Sequence, residues 1–327
     1  MTGAGDGGSS GQQPTGLSDP DLPEVFRTAD ESSLAAQARF LTSMRIQLVA
    51  LAVAAGFGAY TWRWPGTGTD VAAIVAASAF ALAGVLRAAM QRRKLERSWY
   101  DGRAAAESAK TMAWRYAVGG KPFPLGPDTA PAAADAELVR RLRDLPVGLR
   151  GLEIIPSTEG GRQITAAMRA LRSLPLDARK AVYAEGRIQQ QRDWYARKAR
   201  WNKRWADRWN AFLLAVEAAG AVGAVLKATA GVSLDLLPVA AAVVAGATAY
   251  LQTKQHDTLA SAYTVAALEL ASIADLLVGV GGEAEWAGFV DEAENAISRE
   301  HTMWKARRSE RKDDPPGGGA NGQQATP

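Results

Sequence analysis

Four apolar runs interrupt a chain that is otherwise patterned as polar and amphipathic helix. The runs cover Ile46–Trp62, Val71–Leu86, Phe212–Leu226 and Leu236–Leu251. Their lengths lie at or just below the roughly 17–25 residues with which a helix crosses ~30 Å of hydrocarbon. The runs come in two pairs, and the loop inside each pair has only about eight residues. The pattern therefore predicts two transmembrane helical hairpins, which together provide four spans.

In the remainder of the chain, apolar residues recur at helical spacing, and we find no convincing alternation of apolar and polar residues of the kind that a β-strand shows. We therefore predict an all-α membrane protein with two transmembrane hairpins and long cytoplasmic helices. Each half repeats one order: a lead-in helix, two apolar runs joined by a short loop, and an Ala-rich helix, which indicates two modules in tandem. The predicted organisation is a disordered tail (1–24), a first two-span module (25–125), a linker (126–161), a second two-span module (162–311) and a disordered tail (312–327).

The third run is the least apolar of the spans, because it carries an acid, Glu217, at its middle. Its seven Leu, Val and Phe side chains favour insertion by about 3 kcal/mol, and a central acid costs about 2.5–3.5 kcal/mol. On its own, this run therefore has a free energy of membrane insertion close to zero. A soluble Ala-rich bundle is thus the alternative, although run length, Trp at the edges and charge asymmetry all favour the membrane.

Charge is distributed unevenly along the chain, which has a net charge of +4 and no cysteine. Basic residues cluster at 87–97 and 197–208, next to the spans, whereas the two hairpin loops carry only Arg63 and Lys227. The positive-inside rule then predicts a multi-pass membrane protein with both termini in the cytoplasm and the lipid bilayer as a partner. Without cysteine there is no disulfide framework or thiolate metal site.

Glu217 is the sharpest candidate for a functional residue. An ionisable side chain at mid-span commonly faces a bundle interior or water and marks an ion path. In a homo-oligomer, one Glu217 per subunit would form an acidic, pore-lining ring of the kind that cation channels use. The alternative is a protonated Glu217 that is packed, or hydrogen-bonded, between helices.

Tryptophans mark the edges of the spans. Trp62 and Trp64 lie at the tip of the first hairpin, and Trp201, Trp205 and Trp209 recur every four residues before the third run. We interpret all five as anchors at the level of the lipid headgroups. Aromatic residues interleaved with cations can also bind nucleic acid, but beside a membrane entry the anchor is favoured, and no nucleic-acid partner is expected.

Signatures of catalysis are missing from the sequence. It contains no phosphate-cradling Gly loop, no G-x-S-x-G and no H-E-x-x-H, and its two histidines, His256 and His301, lie far apart. We therefore predict that the protein is not an enzyme, and we assign no catalytic, cofactor-binding or metal-binding residue.

Three stretches resemble the SLATT family, the SMODS and SLOG-associating two-TM effector domains. The segment before the second hairpin reads RIQQQRDWYARKARWNKRW (187–205) and contains the family-like motif Trp194, Tyr195, Lys198 and Asn202. The end of the second half, AISREHTMWKARR (296–308), is similar to the end of that domain. The stretch WYDGRAAAESAKTMAWRYAVGGKPF (99–123) is similar to the segment after the hairpin in a related subtype, so the resemblance spans two modules.

This resemblance implies an effector of bacterial conflict systems, in which the spans are proposed to form pores or to disrupt the membrane after a cytoplasmic sensor is triggered. The chain has no recognisable SMODS or SLOG sensor, so a separate cytoplasmic sensor protein is a possible partner. The alternative function is a non-conducting membrane scaffold or sensor that recruits cytoplasmic partners through its helices.

Overall fold

The computed structural model describes residues 16–126, 130–147, 161–230 and 235–313. In this part of the chain every regular element is a helix, apart from one isolated bridge between Arg63 and Asp70. This confirms the predicted all-α class. The helices are α1 (Glu24–Gly58), α2 (Val71–Arg93), α3 (Leu95–Val118), α4 (Pro131–Val147), α5 (Ala166–Arg172), α6 (Leu176–Tyr183), α7 (Gln190–Ala230), α8 (Leu236–Lys254), α9 (His256–Leu276) and α10 (Glu283–Asp313).

The four predicted spans lie in α1, α2, α7 and α8, within four helical stretches long and apolar enough to cross a membrane. Only 6–11% of the most apolar windows of these stretches is buried inside the chain. Large side chains such as Phe80, Leu214 and Val225 are exposed on their surfaces. A soluble bundle would bury such side chains, whereas a bilayer solvates them. The four-span membrane fold is therefore confirmed over the soluble alternative.

The spans pack in the order α2, α1, α8, α7, so that α2 and α7 lie at the two ends of the group. Helix α1 packs on α2 and α8, and α8 also packs on α7. The contact between α7 and α8 is close because of two glycines on α7. A Cβ atom on Gly220 would lie 2.7 Å from Cβ of Ala240, and one on Gly223 would lie 2.9 Å from Cβ of Leu236.

Each module has a single residue in the left-handed conformation just after its second span. Lys94 (φ 47°, ψ 33°) separates α2 from α3, and Gln255 (φ 50°, ψ 42°) separates α8 from α9. Such a conformation is uncommon for residues other than glycine. Its recurrence at the same place supports the tandem repeat. A separate helix thus begins directly after Lys94 and after Gln255.

Outside the spans, the helices form one base with a shared hydrophobic core. The core draws on α1, α3 and α4 from the first half of the chain and on α5, α6 and α10 from the second half. Its largest fully buried side chains include Trp114, Tyr183 and Trp286. We refer to this part, together with the adjoining halves of α1 and α7 and with α9, as the helical base. The two predicted modules therefore share one core.

Two predictions about order along the chain are wrong. Residues 131–147, assigned to a linker, form α4, whose Leu138 and Leu142 are buried in the core. The prolines at both ends of this segment are typical of loops, and for this reason the sequence pattern did not indicate a helix. Residues 16–23, assigned to the disordered tail, are ordered, because Leu22 is buried and Thr165 Oγ1 donates a hydrogen bond to the Asp21 carbonyl (2.7 Å). Further parts of the predicted disordered tails and linker, at 1–15, 127–129, 148–160 and 314–327, lie outside the described residues.

Candidate functional site at the second hairpin

Helix α7 carries most of the residues that the sequence singled out. It is 41 residues long, which corresponds to roughly 60 Å at 1.5 Å per residue. This is about twice the hydrocarbon thickness, so the helix begins in the base and continues as the third span. A π-helical segment, Ala184–Gln189, precedes it. Segments of this kind are frequent at functional sites, and the sequence pattern gave no sign of it.

Glu217 lies on an exposed face of α7, in the middle of its apolar part. The face that packs against α8 is marked instead by Gly220 and Gly223. No hydrogen bond or ion pair joins Glu217 to another residue in the described part of the chain. Within a single chain, Glu217 is therefore not packed between helices. An ionised acid on the outer surface of an apolar span is costly unless water or another polar group reaches it, and the described residues supply no such group.

A polar groove follows the α7–α8 pair and is called here the outer groove. Its volume is about 510 Å³, and its lining includes Asn210 of α7 and Thr248 and Gln252 of α8. Asn210 precedes Glu217 by seven residues, which places the two side chains about two turns apart on one face of α7. Glu217 thus lies on the same face of α7 as Asn210, deeper in the apolar part of the helix and beyond the residues that line the groove.

A second cavity, called here the inter-hairpin cavity, lies where α1 meets α7 and α8. Its volume is about 510 Å³. Trp205 and Trp209 line it and are half-buried, and the Trp209 ring lies 5.5 Å from that of Tyr250. Trp201 also lines it, but 47% of its surface is exposed. These three rings were predicted as headgroup anchors, and the structure places them together at the foot of the spans.

The other predicted anchors, Trp62 and Trp64, lie in the loop at the tip of the first hairpin, with about half of each residue exposed. Backbone hydrogen bonds order this loop, because the Trp64 N–H donates to the Thr69 carbonyl (2.9 Å) and the Val71 N–H donates to the Trp62 carbonyl (2.8 Å). Their role as anchors stays a prediction.

The family-like motif forms the surface of α7 that holds α9. Tyr195 is buried against Leu270 and Ile297, and Trp194 packs edge-on against Tyr263 (5.4 Å between centroids). The Lys198 ammonium lies over two indole rings, 5.7 Å from that of Trp194 and 5.6 Å from that of Trp201. The aromatic residues of the motif thus hold α7 against α9 in the base, below the second hairpin.

Asn202 completes this surface through a buried contact with His256, the first residue of α9. Its Nδ2 donates to the Lys198 carbonyl (2.9 Å), so its Oδ1 accepts the hydrogen bond from His256 Nδ1 (2.7 Å). The contact lies beside Gln255, where the chain turns from α8 into α9. The sequence did not connect these two residues, which are 54 positions apart. The only signal was the position of His256 directly after the fourth span.

Replacement of Asn202 by leucine is expected to lower the free energy of unfolding by about 1–3 kcal/mol, because His256 keeps a buried ring nitrogen without a partner. Denaturant unfolding of the purified protein in detergent, followed by circular dichroism, measures the change. Asn210→Leu is the matched control, since Asn210 is an exposed asparagine of the same helix and should change stability by no more than about 0.5 kcal/mol. Equal effects of the two variants would contradict a structural role for the Asn202–His256 contact.

Comparison with known families agrees with this architecture. The sequence model of SMODS and SLOG-associating 2TM effector domain 3 matches residues 23–180, and that of SMODS and SLOG-associating 2TM effector domain 1 matches residues 183–304. Each match contains one hairpin. The chain therefore belongs to the SLATT family and carries two of its domains in tandem, as the sequence predicted. This makes it a multi-pass membrane effector of conflict systems. No curated protein and no solved structure matches the chain.

Proposed function

We propose that the protein assembles as a homo-oligomer in the bacterial inner membrane and opens a cation-conducting pore lined by Glu217. The observation that carries the proposal is the exposure of this acid on the outer face of α7, without a partner in the described chain. Copies of the chain that meet through this face would bring their Glu217 side chains together around water. The polar residues of the outer groove would continue the path towards the base.

The free energy of placing the Glu217 carboxylate in the membrane favours an oligomer with a water-filled lumen over a single chain surrounded by lipid. An ionised acid in contact with lipid at mid-span costs about 2.5–3.5 kcal/mol, and this cost cancels most of what the apolar side chains of the third run gain. A water-filled lumen removes the penalty, because the carboxylate is then hydrated. A ring of such carboxylates also concentrates cations and repels anions, which gives the pore its expected selectivity.

In this proposal both termini and the helical base lie in the cytoplasm, because basic residues flank the spans on the side of the base. The base is then available to a separate sensor protein. Helix α9 offers it an accessible surface, since Val265, Leu268 and Leu276 are each more than 60% exposed. The proposal includes no nucleic-acid partner, because Trp205 and Trp209 are half-buried in the inter-hairpin cavity and not free to stack on bases.

Ion flux through the reconstituted protein tests the proposal. The wild-type chain in potassium-loaded liposomes is expected to collapse a membrane potential that a voltage-sensitive dye reports. Glu217→Gln should reduce the flux about tenfold, because the ring loses its charge but keeps its shape. Glu217→Asp should retain most of the flux, since the carboxylate remains.

Asp207→Asn is the matched control. It also removes one exposed acid from α7, but Asp207 lies before the apolar run, where it pairs with Lys203 (3.0 Å), and its loss should leave the flux unchanged. Wild-type flux through Glu217→Gln would overturn the role of Glu217. A wild-type protein that is inserted but conducts nothing, even as an oligomer, would instead support the alternative of a non-conducting scaffold or sensor.

A further inference from the structure

The inter-hairpin cavity combines an apolar wall with a cationic one. Leu48 and Val49 of α1 and Val243 of α8 line one side and belong to the spans themselves. Arg45 and Lys254 line the same cavity and are the basic residues that end the apolar parts of α1 and α8. The volume of about 510 Å³ is within the range of roughly 300–1,000 Å³ that is typical of ligand sites.

Among the described residues, neither of these two cations has an acidic counterpart. None of the residues that line the cavity is an aspartate or a glutamate. In the described residues neither Arg45 nor Lys254 forms an ion pair, and the one side-chain contact of Arg45 is a hydrogen bond from Nη2 to the Tyr250 hydroxyl (3.4 Å). Two like charges that share a partly enclosed site repel each other, so an anion between them is strongly favoured.

We propose that the inter-hairpin cavity binds one anionic phospholipid, with its phosphate between Arg45 and Lys254 and an acyl chain along the apolar wall. The depth of the site supports a lipid, because Arg45 directly precedes the first apolar run and Lys254 follows the fourth run by three residues. Trp205 and Trp209 close the side of α7, at the level where indole rings favour the headgroup region. A ligand that is charged at one end and apolar at the other matches both walls.

The lipid would join the two hairpins, since its phosphate contacts α1 and α8 together. The α1–α8 contact is the most extensive one between spans of the two modules in the described chain. The site does not depend on conduction, so a protein without pore activity would still be expected to bind the lipid.

Lipid retention on the delipidated, full-length protein in detergent tests the proposal by native mass spectrometry. We expect phosphatidylglycerol to be retained in preference to phosphatidylcholine, which has the same apolar tails and no net charge. Arg45→Gln combined with Lys254→Gln should weaken retention by about 25-fold, because each of the two cations that line the cavity contributes roughly fivefold to the affinity for the bound phosphate.

Arg92→Gln combined with Arg93→Gln is the matched control. Both residues are exposed at the foot of α2, so this double substitution removes the same amount of charge outside the cavity and should leave lipid retention unchanged. The double variant Arg45→Lys, Lys254→Arg keeps both charges and should therefore retain the lipid. Equal loss in both double Gln variants, or equal retention of the two lipids, would overturn the proposal. Glycerol phosphate tests a soluble source of the same chemistry, and full displacement of the lipid by it would overturn the assignment to a lipid.

A measurement on the unaltered chain avoids any dependence on the folding of variants. The protein is inserted into vesicles with equal amounts of the two lipids, and bromine is placed on the acyl chains of one lipid or the other. Brominated phosphatidylglycerol should quench tryptophan fluorescence more than brominated phosphatidylcholine, because Trp205 and Trp209 border the cavity. Equal quenching would contradict a selective site.

Discussion

Replacement of Glu294 by alanine is expected to lower the free energy of unfolding by about 3–5 kcal/mol, because it leaves a buried guanidinium without its counter-charge. Glu294 and Arg187 are both buried in the base, at 0% and 2% exposure. Arg187 Nε donates to Oε1 (2.8 Å), its Nη2 donates to Oε2 (2.7 Å), and the Tyr183 hydroxyl donates to Oε1 (3.0 Å). The carboxylate therefore accepts three hydrogen bonds, two of them from one guanidinium.

The protonation of this cluster follows from the same geometry. Burial alone would lower the pKa of Arg187, but the charge and hydrogen bonds of Glu294 raise it above its usual range. Burial and the neighbouring carboxylate raise the pKa of the Tyr183 hydroxyl. The guanidinium of Arg187 is thus charged and the Tyr183 hydroxyl neutral, so removal of Glu294 leaves a buried cation.

Unfolding of the detergent-solubilised protein, followed by circular dichroism, measures this loss. Glu292→Ala is the control on the same helix, since Glu292 is exposed and should change stability by no more than about 0.5 kcal/mol. The double variant Arg187→Met, Glu294→Leu should recover much of the loss, because no unpaired charge remains. A loss for Glu294→Ala no larger than that for Glu292→Ala would contradict the proposed balance of charges.

Replacement of Gly120 by alanine is expected to cost about 1–3 kcal/mol, because α10 then no longer fits against the end of α3. A Cβ atom on Gly120 would lie 2.3 Å from Cγ1 and 2.8 Å from Cβ of Val290. The neighbouring contacts leave little freedom to adjust, since the Trp286 indole N–H donates to the Val118 carbonyl (2.7 Å) and the Lys121 N–H donates to the Ala287 carbonyl (3.0 Å).

Gly288→Ala provides a control with the opposite sign. Gly288 lies within α10, and nothing lies within 4 Å of a Cβ atom added there. Alanine at this position should stabilise the protein by up to about 1 kcal/mol through its higher helix propensity. Combining Gly120→Ala with Val290→Ala should restore part of the lost stability by making room. A Gly120→Ala protein as stable as the wild type would show that the α3–α10 junction is looser than the structure indicates.

The Gly120 prediction concerns the contact between the two family domains, which are not independent, whereas the Arg187–Glu294 pair lies within the second domain. Helix α10 belongs to the second domain, yet it packs on the end of α3 in the first through Trp286 and Val290. Arg179, at the end of the first domain, donates to the Val118 carbonyl (2.6 Å) and pairs with Glu283 of α10. Because these contacts are buried, we expect the base to unfold as one cooperative unit.

The sequence by itself determined the membrane fold of this protein. The four apolar runs and the basic residues beside them are local features, and the helices α1, α2, α7 and α8 follow from them directly. The repeated order of elements and the motif from Trp194 to Asn202 were sufficient to indicate two SLATT domains, because they need no information about distant contacts. The position of Glu217 within a span is local in the same sense.

Only the tertiary structure decided which faces and which distant residues meet. Periodicity places Glu217 on α7 but does not show that α8 packs on another face, leaving the acid exposed. The Arg187–Glu294 pair, the Asn202–His256 contact and the cavity shared by Arg45 and Lys254 join residues 54 to 209 positions apart in the sequence. Their side chains carry no pairwise signal in one sequence, since each is also an ordinary helix residue. The first two contacts form as the helices of the second domain pack together, and the cavity forms where the spans of the two domains meet.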